Sequence, residues 1–224
     1  MGLISEITLR VRVLRYRMGL RKTLPAAAIN RVKIAESGEA MVNIRQSSRL
    51  FFGPSLESRD CVFVRSGVYE RLIKAADLLP GEYRLKIMSA YRSLAQQHEL
   101  WNLRLAQTRE KHPHATEEEL IAITRGLVAQ PHHGFGGHQT GGAIDVTLCD
   151  ETGADLGLGK WTPKDVVISL QEQMRRRDVL RVAMCAAGFV NYPAEWWHFC
   201  YGDRMWAAYT RRSKCFYGLV EKVK

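Results

Sequence analysis

The stretch Gly137-His138-Gln139-Thr140-Gly141-Gly142-Ala143-Ile144-Asp145-Val146-Thr147-Leu148 passes from a glycine-rich loop into an alternating apolar run. The run reads as a strand, Ala143–Leu148, on which Asp145 points opposite to Ile144 and Val146. A carboxylate in such a strand is desolvated and needs a partner or a metal. His138 lies seven residues before it. The two side chains converge only if the loop folds back, and Gly141-Gly142 supply the backbone freedom for that. A histidine in a glycine-rich loop is more often exposed or locally bonded, so this pair does not decide the chemistry alone.

A second stretch, Glu195-Trp196-Trp197-His198, completes the set. On a strand, residues three apart point to opposite faces. Glu195 is therefore placed at the turn after Pro193 and His198 inside the strand that follows, so that both reach one point. Two imidazoles and one carboxylate with an open fourth position make a catalytic zinc site, whereas a structural zinc is closed by four protein ligands. The expectation is one Zn2+ per chain held by His138, Asp145 and His198. Glu195 is left free to move a proton at a water there. At least one of the two indoles reads as a core aromatic, and an indole wall would also make a nearby carboxylate more basic. Cys200 shares the strand face of His198, but a buried, inert thiol is the simpler reading. His132 and His133 fit no ligand spacing and read as loop histidines.

Outward from these stretches the pattern is mixed. Residues 7–18 alternate apolar side chains with arginine, the period of a half-buried edge strand. Residues 24–56 read as loops with at most one short strand. Ser66 caps a helix that Pro80-Gly81 stops by residue 79. Tyr83–Met88 alternates as a strand. Ser93/Gln96 and Thr116/Glu119 form two capping boxes, opening helices to about Arg109 and Ala129. Arg92 thus falls between a strand end and a helix start. Residues 164–187 are helical in one or two pieces, with a break at Asp178 and a stop at Gly188. Phe189–Tyr192 and Trp196–Tyr201 pair as a hairpin, and 203–224 form a basic, partly helical tail. The fold class expected is α+β: a single domain over 1–224, helices packed on a largely antiparallel sheet, with the zinc site at the sheet centre.

Charge is unevenly placed along the 224 residues, whose net charge is +10. Residues 1–60 hold 11 Lys/Arg against 5 Asp/Glu, and residues 203–224 hold 6 against 2, so the stretch between them is neutral. No nucleic-acid motif or stacking platform accompanies the basic ends, and nucleic acid is not the expected partner. Five widely spaced cysteines without a C-x-x-C argue against both a disulfide framework and a thiolate zinc site. Arginines interrupt every apolar run near the start, and no run reaches the roughly 18 residues of a membrane span. Localisation is expected to be cytoplasmic; the oligomeric state is left open.

Arg92, His138, Asp145, Glu195 and His198 stand in the order and local setting of the VanX-type D-alanyl-D-alanine dipeptidases, zinc peptidases related to the cell-wall D,D-carboxypeptidases. The resemblance covers about residues 60–202. It rests on Tyr91-Arg92, on His138-x-x-Gly141-x-Ala143-x-Asp145, and on Glu195-Trp196-Trp197-His198 after Gly188-Phe189. The doubled Trp is more like the dipeptidases than the carboxypeptidases. The resemblance implies zinc ligation by His138, Asp145 and His198, proton transfer by Glu195, and stabilisation of the developing oxyanion by Arg92. The implied substrate is D-Ala-D-Ala or a related small dipeptide. Three places depart from the pattern: Gly136 replaces a substrate-binding Ser, Ser93 replaces a Pro, and Leu158–Asp165 occupies the region of the acidic anchor for the substrate amine, with Asp165 the candidate replacement. Two other functions remain open at this point. One is D,D-carboxypeptidase or endopeptidase action on peptidoglycan stems; the other is a non-catalytic zinc-binding interaction module, which would need neither Glu195 nor Arg92.

Overall fold

A computed structural model of the chain describes residues 3–57, 62–131, 136–221 and 223. Cys61, His132 and His133 lie outside the described residues. The helices are α1 (Leu3–Arg17), α2 (Ala26–Asn30), α3 (Pro54–Glu57), α4 (Ser66–Leu78), α5 (Leu94–Lys111), α6 (Glu117–Arg125), α7 (Leu170–Ala186) and α8 (Arg204–Tyr209). The strands are β1 (Lys33–Ile34), β2 (Met41–Asn43), β3 (Leu50–Phe52), β4 (Phe63–Arg65), β5 (Arg84–Ser89), β6 (Ala143–Cys149), β7 (Val190–Asn191), β8 (His198–Cys200) and β9 (Lys214–Cys215).

The main sheet runs β3-β5-β6-β8-β7, with β6 at its centre. Only β3–β5 is parallel within it; the other pairs are antiparallel. The largely antiparallel α+β architecture expected from the sequence is therefore present. Every residue of β6 is buried. Alternation sorts its side chains: Ile144, Val146 and Leu148 join Leu85 and Ile87 of β5 and Phe199 of β8 in the core. Val68, Leu72 and Ala75 of α4 and Leu180, Ala183 and Met184 of α7 cover that face. Each fully buried aliphatic side chain contributes about 1.5–3 kcal/mol relative to leaving it in water. Asp145 is thereby turned to the opposite face, which carries the polar cluster.

Both capping boxes form as read. Ser93 and Gln96 exchange side-chain bonds with each other's backbone at the start of α5, and Thr116 and Glu119 do so at α6. Ser66 does not cap α4 with its own side chain. Glu39 supplies the acceptor from a distant segment, taking bonds from the Gly67 amide at 2.9 Å and the Ser66 hydroxyl at 3.2 Å. Asp178 does not break α7, which is continuous from its Ser169 cap; it pairs with Arg181 one turn on. Gly188 ends that unit at φ +103°, a conformation that favours glycine.

The strand expected over 7–18 is a helix. Two apolar stripes, Leu9-Val13-Tyr16 and Ile7-Val11-Leu14-Met18, each follow the helical period, and interleaving them mimics alternation. Leu, Arg and Met are also good helix formers, and Glu6 pairs with Arg10 one turn on. Residues 24–56 are more ordered than expected, contributing α2, α3 and three short strands. β1 pairs in parallel with β9, tying the first segment to the last. In the tail, Tyr217 is fully buried, and its hydroxyl donates to Glu39 at 2.5 Å.

Candidate metal centre

Strand register builds the centre. Asp145 on β6 pairs with His198 on β8 on one side and with Ser89 on β5 on the other. A register shift between Ile87 and Ser89 brings the Ser89 position into that row. His138 enters from a single 3-10 turn, Gly137–Thr140, which Gly141 closes in the left-handed region at φ +69°. Glu195 sits in the turn before β8, where its amide bonds to the Tyr192 carbonyl.

His198 Nδ1 lies 2.9 Å from Asp145 Oδ1, and His138 Nε2 lies 3.4 Å from the same oxygen. The two imidazoles meet edge to face, their centroids 5.1 Å apart. One ligand atom from each of His138, Asp145 and His198 falls within 4.8 Å of the others. All three residues are 8–9% exposed. His138 Nδ1 lies 2.8 Å from the Ala90 carbonyl, an acceptor only, so Nδ1 carries a proton and Nε2 is the nitrogen that would serve as the ligand to a bound cation. The donor set of two imidazoles and one carboxylate suits zinc, and the spacing suits convergence on a single ion.

Electrostatics agree with a site made for a cation. Burial works against the charge of Asp145, yet His138 and then His198 hold its carboxyl far below the ordinary carboxylate range. Burial likewise works against a charged His198, but Asp145, with Glu195 and Asp203 behind it, holds the imidazole above its usual value. Glu195 Oε2 stands 4.0 Å from His198 Nδ1, with its side chain 38% exposed, so it borders the cluster and still meets solvent.

Arg92 is brought to the same place by the β5–α5 junction. Its guanidinium donates to Gln97 Oε1 at 2.9 Å and to Ser89 Oγ at 3.0 Å, and its amide donates to the His138 carbonyl at 3.2 Å. Gln97 is itself buried and anchored to the Ala129 carbonyl at 2.6 Å. Neither Ser89 nor Gln97 was singled out by the sequence. Gln97 follows directly on the capping box of α5, the one signal that could have placed it. Asp203 was also missed. Fully buried, it caps α8 by accepting from the Trp206 amide at 2.8 Å, and burial pushes its carboxyl up.

The remaining candidates separate cleanly. Cys200 is buried with its sulfur 3.3 Å from Met205 Sδ, and burial, then Asp203, keep it a neutral thiol. Trp161, Trp196 and Trp197 pack edge to face at 5.5–6.1 Å, with Lys160 Nζ 3.9 Å over the Trp197 ring. Where the resemblance led to an acidic anchor, the chain thus presents a lysine and an indole, and Asp165 is exposed on the following loop. A Cβ built on Gly136 would lie 2.7 Å from Gln139 Oε1, so the buried Gln139 carboxamide occupies the space of the expected serine side chain.

A family model described as D-ala-D-ala dipeptidase, peptidase M15, matches residues 62–218. A D-alanyl-D-alanine dipeptidase from Synechocystis sp. (strain PCC 6803) is 27% identical over 211 residues, spanning 75% of this chain and 83% of that protein. Among solved structures, a vancomycin-resistance D,D-pentapeptidase VanY in complex with Zn(II) is similar over 70% of this chain and 83% of its own. Its identity is 18% and its TM-score 0.43. The LD-carboxypeptidase LdcB is similar over 66% of this chain and 63% of its own, at 19% identity and a TM-score of 0.43.

Proposed function

The chain belongs to the D-Ala-D-Ala dipeptidase family of peptidases, and from that membership we propose that it hydrolyses D-alanyl-D-alanine or a closely related small dipeptide in cell-wall precursor metabolism. One observation carries the reading: His138, Asp145 and His198 converge to within 4.8 Å of one another, with Glu195 at their edge. In this reading the three residues hold one zinc ion per chain. When bound there, zinc supplies Lewis acidity, polarising a carbonyl and making water acidic enough to attack near neutral pH.

The chain's own groups do the rest. Glu195, bordering the cluster and open to solvent, takes a proton from the attacking water and returns it to the leaving amine. Arg92 carries a permanent charge on a rigid donor fork and stabilises the oxyanion that develops on the scissile carbonyl. Ser89 and Gln97 each accept from that fork and help to hold it in place. The Ala90 carbonyl fixes the His138 tautomer that ligation needs. The three-indole cluster with Lys160 and the absence of a hydroxyl at Gly136 depart from the family pattern at positions that the resemblance gives to substrate binding, and so bear on which small dipeptide is cleaved. The cytoplasmic assignment is retained, since the described cysteines Cys149, Cys185, Cys200 and Cys215 are all free, as suits a reducing compartment.

The test is release of free D-alanine from D-Ala-D-Ala by metal-stripped protein, with and without added zinc, beside Glu195→Ala. Zinc-dependent release that falls by roughly 10²–10⁴-fold in the variant, with zinc still bound, is expected. Undiminished release by Glu195→Ala would sink the assigned mechanism, and failure to bind zinc would sink the site.

A further inference from the structure

Helix α1 presents two faces. Leu9, Val13 and Tyr16 turn inward; Leu9 is buried and the Tyr16 ring meets Tyr209 of α8 edge to face at 5.7 Å. Glu6 ties the helix to the end of α2 through two bonds from Arg31, its C-cap residue, at 2.6 and 3.0 Å. The helix is therefore fixed to the body with a defined side outward.

That outer side is apolar. Ile7, Val11, Leu14 and Met18 are 55, 50, 55 and 62% exposed. Helical bonding continues through Met18, whose amide donates to the Leu14 carbonyl at 2.9 Å. At 3.6 residues per turn these four side chains fall within an arc of about 60°. Arg10 and Arg17 lie along one flank of the stripe and Arg15 along the other, with Arg12 further round the helix, and all four are exposed. Arg21 and Lys22 extend the basic edge just beyond.

From this arrangement we infer that the outer face of α1 docks on an anionic lipid bilayer surface. The chemistry on each part of the face selects that occupant. An apolar stripe gains by entering the boundary between headgroups and acyl chains, while flanking guanidiniums meet the headgroup phosphates. Nucleic acid would satisfy the arginines and leave the stripe in contact with phosphate and water. A second copy of this chain, meeting stripe to stripe, would set arginine flanks against arginine flanks. Among the described residues no helix is long and apolar enough to cross a membrane, so α1 lies on the surface instead of spanning it.

The test is sedimentation of the full chain with vesicles of phosphatidylglycerol and phosphatidylcholine, against vesicles of phosphatidylcholine alone. Binding to the anionic vesicles, weakened by salt, is expected. Val11→Asp with Leu14→Asp should weaken it about tenfold or more, and Arg15→Gln with Arg17→Gln roughly fivefold for each charge removed. These residues are exposed and belong to none of the catalytic groups, so circular dichroism and dipeptide hydrolysis should match the parent. Circular dichroism alone serves as the control if the hydrolytic reading fails. Absence of sedimentation, equal sedimentation with uncharged vesicles, or binding that both variant pairs leave intact overturns the inference. So does a dimer in light scattering that Val11→Asp with Leu14→Asp dissolves.

Discussion

Asp145 and His198 are direct partners across β6 and β8, and the sheet register sets Asp145 Oδ1 2.9 Å from His198 Nδ1. The contact depends on backbone pairing deep in the sheet, with Ile144 and Phe199 locked into the core at the adjacent register position. A centre built this way is held ready before any ligand arrives. Asp145→Asn keeps the shape and removes the charge. On the proposed ligand set, zinc affinity should fall beyond the roughly 10- to 100-fold that losing a supporting partner costs. Titration of metal-stripped protein with zinc measures it, and an unchanged affinity would remove Asp145 from the ligand set.

Arg92 and Gln97 should separate chemistry from positioning. Arg92→Lys keeps a charge but loses the fork, and should cost about 10²–10³ in kcat. Gln97→Leu leaves Arg92 in place without its Nη1 anchor and leaves the Ala129 carbonyl without its partner. A smaller loss is expected, about 10- to 100-fold in kcat, with zinc affinity unchanged in both variants. A Gln97→Leu enzyme that loses its zinc would place Gln97 in the structure of the metal centre and not behind Arg92.

Much of the centre was legible because its chemistry has spacing. The Gly-Gly turn, the alternation around Asp145 and the turn after Pro193 led directly to where His138, Asp145, Glu195 and His198 stand. The supporting groups have no such signature. The Ala90 carbonyl belongs to the backbone, and Ser89 enters the row only through a register shift, which no periodicity announces. The helical period of α1 is masked for a physical reason: its inner stripe faces the body, with Tyr16 against Tyr209, while its outer stripe is exposed, and a pattern rule sees their sum. The Glu39 cap on α4 was invisible because its partners lie 27 to 28 residues away in sequence.

Glu39 also gives the fold a pH dependence. Burial works against its charge, but bonds from Tyr217, Gly67 and Ser66 hold its carboxyl below the ordinary value of 4.5. An acid depressed in the folded state contributes stability fully above its unfolded value and loses it as pH falls through the folded one. Urea midpoints of the parent should therefore drop as pH is lowered from about 4.5, more steeply than those of Glu39→Gln. At neutral pH that variant should be less stable by about 1 kcal/mol, allowing for partial exposure. Parallel curves would show that Glu39 does not link the tail to α4 energetically.

Gly137 allows the closest approach in the centre. A Cβ there would collide with the Asp203 carboxylate and lie 2.6 Å from Ala143 Cβ, the first residue of β6. Neither neighbour can swing away, since Asp203 caps α8 and Ala143 is part of the strand. Gly137→Ala should push the His138 turn off β6, costing about 1–3 kcal/mol in stability and weakening zinc binding together with it. A variant that keeps both would show that the turn tolerates a displacement the packing does not suggest.

Gly136 poses the opposite case, because the atom in its way is the end of a side chain. A Cβ at Gly136 meets Gln139 Oε1 at 2.7 Å, and the Gly136 backbone at φ −59° accepts any residue. Gly136→Ser alone should cost about 1 kcal/mol or more as the buried carboxamide is displaced. Gln139→Ala empties that space while keeping the backbone carbonyl that accepts from Val220 at 2.9 Å. In the double variant the serine fits, so the two costs should fall short of additive by about 0.5–3 kcal/mol. The double variant should also show a lower KM for D-Ala-D-Ala than Gln139→Ala alone, since the hydroxyl expected to hold the substrate carboxylate is now present. Urea denaturation of the four proteins measures the coupling and steady-state kinetics measure the KM. Strictly additive stabilities would show that Gln139 does not fill the place of the missing hydroxyl.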